Sequence, residues 1–202
     1  MFVQVIQGQV SDTGEMLAAL DQWTHGLAPG ATGWLGSTAG VTEDGQFIAV
    51  VRFDSEDAAR RNSDRPEQDQ WWAQTSKLFT GEVTFRDSTN VDLDLNGDPD
   101  NAGFVQIIQG RSSDPARASQ LMAQDQDQWA AFRPDIIASL GAGHDDGAYT
   151  AVLYFTSAAE AREGERTQPP PELTAQMDAM RALEVGEATF RDLRQPWMHS
   201  PR

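Results

Sequence analysis

The chain has 202 residues, of which 31 are acidic and 15 are basic, so its formal net charge is -16. Because such a surface repels phosphate groups, the charge argues against binding to nucleic acid or to anionic membranes. The absence of cysteine excludes disulfides and thiolate catalysis, and no apolar run approaches the ~18 residues of a membrane-spanning helix. These features favour a soluble cytoplasmic protein with no nucleic-acid or membrane partner.

The chain contains an internal duplication. Phe2–Gly8 (FVQVIQG) returns as Phe104–Gly110 (FVQIIQG), and Gly81–Asp87 (GEVTFRD) returns as Gly186–Asp192 (GEATFRD). In each pair six of seven positions are identical, and the two pairs follow each other in the same order. The sequence therefore predicts one structural unit that occurs twice.

Three segments follow from the duplication. We predict a first repeat over residues 1–88, an acidic linker over 89–102, and a second repeat with a C-terminal tail over 103–202. About 100 residues per repeat is near the commonest domain size, so each can hold its own core. The linker opens like a calcium-binding loop at Asp92, but Gly103 stands where that loop needs a bidentate glutamate. No metal site is therefore predicted.

The first repeat alternates strand and helix patterns. The apolar run from Phe2 leads into a helix capped by Asp12, whose apolar residues recur at spacings of three and four. Two strands joined by the Asp44–Gly45 turn follow, and a second helical stretch begins at Ser55 and restarts at Pro66. A final strand completes the order βαββαβ.

The second repeat follows the same plan. Asp114 precedes a proline at the start of its first helix, and Ser157 caps its second. Trp23 and Trp129 are 106 positions apart, whereas the first strands are 102 positions apart. The second copy thus gains four residues, about one helical turn, and we expect the gain to keep the helix face in phase.

A βαββαβ unit builds a four-stranded antiparallel sheet with both helices on one face, the ferredoxin-like arrangement. In the third strand Phe47 and Val51 point one way, while Ile48 and Val50 point the other. Both faces are apolar and need cover, and helices cover only one. We predict an α+β fold of two tandem ferredoxin-like repeats whose sheets face each other as an intramolecular α+β barrel. Such a pseudo-dimer is expected to be a monomer or a weak homodimer.

Duplicated units of this kind resemble the dimeric α+β barrel superfamily, which includes the antibiotic-biosynthesis monooxygenases and related haem-degrading enzymes. The segment Arg60–Glu67 (RRNSDRPE) and the GEVTFRD strand are most similar to those of uncharacterised actinobacterial proteins with tandem repeats. The resemblance implies a small apolar or polycyclic ligand between a sheet and its helices, which some members oxidise without metal or flavin.

The haem-degrading branch implies features that this chain does not share. Those enzymes carry an asparagine on the first strand and a histidine that ligates iron from a helix. Here Gln4 and Gln7 occupy the first strand, and the second helical region of each repeat has no histidine. Haem degradation is therefore not expected, and no cofactor is predicted.

Aligned repeats separate the residues that the fold needs from those that it does not. Trp72 matches Met177 on the packed stripe of the helix and is interpreted as a core residue. Trp71 matches Gln176, so the common fold does not require an aromatic ring there. We interpret Trp71 as a pocket wall or stacking surface; a lid over the second helix and a subunit contact are the structural alternatives.

Two charged or titratable residues complete the predicted site. Arg52 on the third strand matches Tyr154, and in a pocket it could bind an anionic substrate. His25, near the end of the first helix, matches Ala131, and histidine is suited to proton transfer near neutral pH. No residue is assigned a catalytic role. The predicted ligand-binding residues are Trp71, Trp72, Arg52 and His25.

Three functions are compatible with the sequence. The first is a protein that binds a small hydrophobic or aromatic molecule in a cavity between sheet and helices. The second is a cofactor-independent monooxygenase or isomerase that acts on a polycyclic or quinone-like substrate. The third is a structural or partner-binding protein, in which Trp71 and the tail Pro196–His199 form an exposed apolar contact. The sequence does not decide whether the chain is an enzyme.

Overall fold

The computed structural model describes residues 1–201, which fold as two compact units. The first unit contains residues 1–91 together with the tail from Gln195 onward. The second unit contains Asp92–Arg194. The tail predicted to end the second repeat therefore belongs to the first unit.

The first unit has the predicted alternation of strands and helices. Its elements are β1 (Phe2–Gln9), α1 (Thr13–Gly26), β2 (Trp34–Val41), β3 (Gln46–Phe53), α2 (Glu56–Ser63), α3 (Pro66–Thr75) and β4 (Thr84–Ser88). The Asp12 carboxylate accepts from the Glu15 N–H at 2.9 Å and begins α1. The Ser55 hydroxyl accepts from the Ala58 N–H at 3.3 Å and begins α2. Both caps are where the sequence predicts them.

The rest of the chain follows the same plan. Its elements are β5 (Asn90–Leu95), β6 (Phe104–Arg111), α4 (Pro115–Met122), α5 (Gln126–Phe132), β7 (Ile136–Gly143), β8 (Ala148–Phe155), α6 (Ala158–Glu165), α7 (Pro171–Arg181), β9 (Thr189–Leu193) and β10 (Trp197–His199). The predicted caps are present, since Asp114 accepts from the Arg117 N–H and Ser157 from the Glu160 N–H. The segment predicted as a linker contains a strand, β5.

The first helical region of the second repeat is broken between α4 and α5. Asp125 lies in the break with φ 54°, in the left-handed region that short polar side chains tolerate. Residues 123–125 interrupt the helix, so the added residues do not form one continuous extra turn, although Trp129 still bonds to α7 as Trp23 bonds to α3.

Each unit contains an antiparallel sheet of five strands. The orders are β10-β2-β3-β1-β4 and β5-β7-β8-β6-β9. The four strands of each repeat have the ferredoxin-like order, and equivalent pairs share a register: Phe2 lies opposite Phe53, and Phe104 opposite Phe155. Two tandem ferredoxin-like repeats of an α+β fold are thereby confirmed. A fifth strand is added at the edge beside β2 and beside β7.

The first sheet is buried on both faces. On the helix side, Phe47 and Phe53 belong to two clusters of buried residues that include Met16 and Trp23 of α1. On the other side, Val50 is fully buried. This agrees with the apolar pattern of both faces of β3. Within residues 1–201, no helix is long and apolar enough to cross a membrane.

Candidate functional site

A cavity of about 90 Å³ lies between the sheet and the helices of the first unit. Alternate residues of β3, including Phe47, Ala49 and Val51, form its sheet wall because they share one face of the strand. Leu20 and Trp23 of α1, three residues apart on one helix face, form part of the opposite wall. The two-residue alternation of the strand and the three-to-four-residue spacing of the helix therefore place the lining side chains on facing surfaces.

Small side chains leave this space unfilled. Ala39 of β2, Ala49 of β3 and Ala59 of α2 all line the cavity where larger apolar residues would close the gap between sheet and helices. Protein interiors are otherwise packed with few voids larger than a water molecule. A space of this size therefore marks a binding-site candidate.

Indole rings form the helix side of the cavity. The ring centroid of Trp71 lies 6.4 Å from that of Trp23 and 6.2 Å from that of Trp72. The Trp23 indole N–H donates to Gln68 Oε1 at 2.6 Å, and the Trp71 indole N–H donates to the Ala19 carbonyl at 2.9 Å. Because both N–H groups bond within the protein, the rings offer apolar faces and edges to a ligand.

One amide supplies a polar group at the α2 end of the cavity. Asn62 is 7% exposed and lines the cavity. Its Oδ1 accepts from Arg65 Nη1 at 3.0 Å. Since arginine only donates, this bond fixes the amide orientation and leaves Nδ2 as the free end. Among the described residues no acceptor bonds to Nδ2, so it is available to a ligand oxygen.

Arg65 is itself held by several bonds. Its Nη1 also donates to the Leu27 carbonyl at 3.0 Å, and its Nε donates to Glu67 Oε1 at 3.0 Å. A backbone hydrogen bond, followed by the bond from Arg65, lowers the pKa of Glu67. The carboxylate therefore stays ionised beside the guanidinium, and this pair positions Asn62.

The predicted site residues divide into two groups. Trp71 and Trp72 line the cavity. Arg52 does not, because its neighbours Val51 and Phe53 face the cavity and alternate strand residues point in opposite directions. Arg52 is 9% exposed, and its Nε has no hydrogen-bond partner among the described residues.

His25 also lies outside the cavity. It is exposed in the last turn of α1, where its Nδ1 is 2.7 Å from the Asp21 carbonyl oxygen. That position suits the interaction of an imidazole with a helix C-terminus and offers no contact with the cavity lining. The structure therefore does not bring Arg52 and His25 together with Trp71 and Trp72 around this cavity.

The C-terminal tail is not the exposed apolar contact considered above. Trp197 and Met198 are half-buried in β10, which pairs with β2. The Trp197 ring lies 6.3 Å from that of Phe47, a residue of the cavity wall. Trp197 lies opposite Ala39 and packs against the buried cluster of Phe47 and Met16, so the tail extends the apolar layer on the helix side of the sheet.

The equivalent region of the second unit carries different side chains. Gln176 takes the place of Trp71, is buried, and accepts from the Trp129 indole N–H at 2.7 Å. Its own amide donates to the Leu121 and Gln124 carbonyls. The residue at this position is thus part of the aromatic cavity wall in the first unit, whereas in the second unit it joins two helical regions by hydrogen bonds.

Sequence reasoning missed Asn62, although the repeat supplies the signal. Asn62 stands 102 positions before Gly164, the same offset that relates Ser55 to Ser157. The asymmetry that singles out Trp71 therefore also singles out Asn62. Within residues 1–201, no group of three histidine, cysteine, aspartate or glutamate side chains could hold a metal ion.

No protein-family model matches the sequence, and no curated protein matches it. Solved structures do match. A candidate monooxygenase from Lactobacillus acidophilus NCFM superposes with a TM-score of 0.77 at 11% identity, covering 98% of this chain and 95% of that one. An anthrone oxidase-like protein gives 0.69 at 10% identity, with 98% and 92% covered. A major regulator of staphylococcal pathogenesis gives 0.56 at 8% identity, with 96% and 99% covered.

These similarities concern architecture. Matches that span nearly the whole chain show that it shares the fold of these proteins, with both ferredoxin-like repeats in one polypeptide. At such identities they establish the fold and leave the chemistry to the site itself.

Proposed function

We propose that the chain binds a small, uncharged aromatic molecule in the cavity of the first unit, with an oxygen acceptor directed at Asn62. The observation that carries this proposal is a cavity walled by indole rings whose lining includes Asn62, with its amide N–H₂ group unpaired. Aromatic walls favour a flat apolar ligand, and the amide favours a carbonyl, nitro or hydroxyl oxygen at one edge.

Charge selects against ionic ligands. None of the side chains that line the cavity is acidic, basic or histidine. An ion that left water for this site would therefore lose its hydration without gaining a counter-charge. Binding of a neutral molecule carries no such penalty.

Size sets a second limit. An apolar cavity of about 150 Å³ is known to hold benzene, whereas a single water needs only ~10–15 Å³. At about 90 Å³ this cavity exceeds the need of one water and falls short of that of one free ring. A single-ring ligand therefore needs some side-chain movement in order to enter, and a larger ring system needs more.

Nitrobenzene is a suitable test ligand because it has one uncharged ring, two acceptor oxygens and a strong ability to quench indole fluorescence. We expect saturable quenching of the wild-type protein. Benzoate, which has the same ring and a carboxylate, should not compete. A linear, non-saturable response to nitrobenzene, or equal binding of benzoate, would contradict the proposal.

We propose oxygenation as the second candidate function, since the structural neighbours include a candidate monooxygenase and an anthrone oxidase-like protein. No cavity-lining side chain is a carboxylate or histidine, so the site lacks a positioned base. That favours a substrate which loses its proton to solvent before it meets oxygen, and disfavours an isomerase. Anthrone has three rings and therefore needs a larger opening of the cavity than a single-ring ligand. One O₂ would be consumed for each anthraquinone and water formed from it. Oxygen uptake at the rate of the protein-free control would exclude this reaction.

A further inference from the structure

The outer surface of the first unit carries a groove of about 590 Å³ between α1 and α3. Ala18 and Gln22 of α1 and Gln74 of α3 are among its lining residues. Trp71 and Thr75 line both this groove and the inner cavity. The groove and the cavity are therefore neighbours that share Trp71 and Thr75 in their walls.

We propose that ligands reach the cavity through this groove and that Trp71 is the movable partition that sets the largest ligand the site accepts. The inference rests on the proposed function, since it describes entry to the same cavity. It adds a route and a residue that determines ligand size.

The Trp71 ring is weakly tethered. Its indole N–H makes one hydrogen bond, to the Ala19 carbonyl of α1. Ala19 lines the groove, so water there can replace the bond when the ring turns. The half-buried ring also packs against the rings of Trp23 and Trp72.

In the second repeat, hydrogen bonds hold the residue at this position in place. Gln176, the counterpart of Trp71, is buried and bonds to Trp129, Leu121 and Gln124. The fold therefore has a way to tie these helices firmly together at this point. The first repeat has a large ring with a single bond instead, as a partition between two spaces requires.

The volumes of the cavity and the groove determine how far Trp71 must move for a given ligand. With the ring in place, the cavity is smaller than a benzene-sized site. With the ring turned away, it joins a groove several times larger. One-ring ligands then need a small displacement of Trp71, and two-ring ligands need the ring to leave its place.

Site-specific labelling tests the route, because the chain has no cysteine of its own. Gln74→Cys places a thiol in the groove, and Ala73→Cys places one on the neighbouring exposed residue, which lines neither space. Each variant is modified with maleimide-linked biotin, and nitrobenzene association is followed by stopped-flow tryptophan quenching. We expect the label at Gln74→Cys to slow association at least tenfold and the label at Ala73→Cys to leave it unchanged.

Size selection is tested with nitrobenzene and 1-nitronaphthalene, which differ by one ring. Wild type should bind nitrobenzene at least tenfold more tightly, and Trp71→Ala should reverse that preference. Trp71→Phe, which keeps a ring, should retain it. Equal association rates after both labels, with an unchanged size preference in Trp71→Ala, would overturn this inference while leaving the binding function intact. Failure of unlabelled wild type to bind nitrobenzene would overturn both.

Discussion

Asn62 is a polar residue of the cavity lining whose orientation is dictated by its neighbour. Arg65 can only donate, so it takes the Asn62 carbonyl oxygen and leaves the amide nitrogen for a ligand. Arg65 is anchored by the Leu27 carbonyl and by Glu67. A ligand therefore meets a hydrogen-bond donor that does not need to reorganise.

Replacement of Asn62 by aspartate tests that donor. Asn62→Asp keeps the shape and the bond to Arg65 but turns the free N–H₂ into an acceptor that repels a nitro oxygen. Loss of one neutral hydrogen bond, ~0.5–1.5 kcal/mol, corresponds to an affinity decrease of roughly two- to twelvefold, and the repulsion adds to it. Calorimetric titration should show this decrease for nitrobenzene and a smaller one for toluene, which has no acceptor. Equal losses for the two ligands would remove Asn62 from the site.

Tyr149 of β8, in the second unit, has a raised pKa that can be tested by titration. Burial, followed by the hydrogen bond to Glu184 and the charge of that carboxylate, raises the pKa of Tyr149 from 10.0 to about 12. A folded-state pKa above the unfolded value means that the contribution to stability is complete below pH 10 and is lost as the pH rises toward 12. The difference in tyrosinate absorbance between wild type and Tyr149→Phe should titrate near the raised value.

Denaturant unfolding of the same two proteins supplies the linked observation. The stability advantage of wild type over Tyr149→Phe should shrink between pH 10 and pH 12. Parallel loss of stability in both proteins would show that the phenol has an ordinary environment.

Of the four residues selected from the sequence, Trp71 and Trp72 line the cavity, and Arg52 and His25 lie outside it. Trp71 was identifiable because the second repeat lacks its ring. Arg52 and His25 were selected by residue type, whereas strand alternation already predicts that Arg52 points away from its neighbours Val51 and Phe53. Asn62 could have been found by the comparison with Gly164.

Among the elements, the two helical regions of the repeats diverge where their strands do not. The strand registers of β1 with β3 and of β6 with β8 are equivalent, because one-residue slips would reverse every side chain. Helix α1 is continuous, whereas α4 and α5 are separated by the left-handed Asp125. Hydrophobic spacing predicts a helix in both repeats, but it does not reveal how four extra residues are accommodated.

The glycines before β4 and β9 also differ in a way that the sequence does not reveal. Gly81 and Gly186 begin nearly identical heptapeptides, yet only Gly186 has a positive φ, at 77°. An added Cβ would meet no atom within 4 Å at either position. The two sites therefore differ in backbone conformation and not in available space, a difference that the matching sequences do not show.

This pair offers a matched test of backbone strain. Gly186→Ala should lower the free energy of unfolding by ~1–2 kcal/mol, because an L-residue is strained in the left-handed region. Gly81→Ala should be neutral or raise it by up to ~1 kcal/mol, because alanine restricts the unfolded chain. Urea unfolding measures both. Equal effects of the two substitutions would show that the backbone at Gly186 is not strained.

For the whole molecule, the duplication predicts two sheets but not how the chain connects them. β5 lies in the segment expected to be a linker, and β10 lies in the tail; each extends a sheet by an edge strand. The alternation of Val91, Leu93 and Leu95 with polar residues does indicate a strand at β5, whereas β10 has only three residues and is too short to show a period. Their pairing depends on an available sheet edge, which only the folded units supply.

Binding in the first unit is the claim on which the functional account depends, and a heavy-atom ligand locates it directly. Crystals of the wild-type protein would be soaked with 1-bromo-4-nitrobenzene and measured at the bromine absorption edge. The account predicts one anomalous peak among Trp23, Trp71 and Trp72, with the nitro group within hydrogen-bonding distance of Asn62 Nδ2. Bromine found only outside this cavity, at a ligand concentration that saturates the protein in solution, would contradict it.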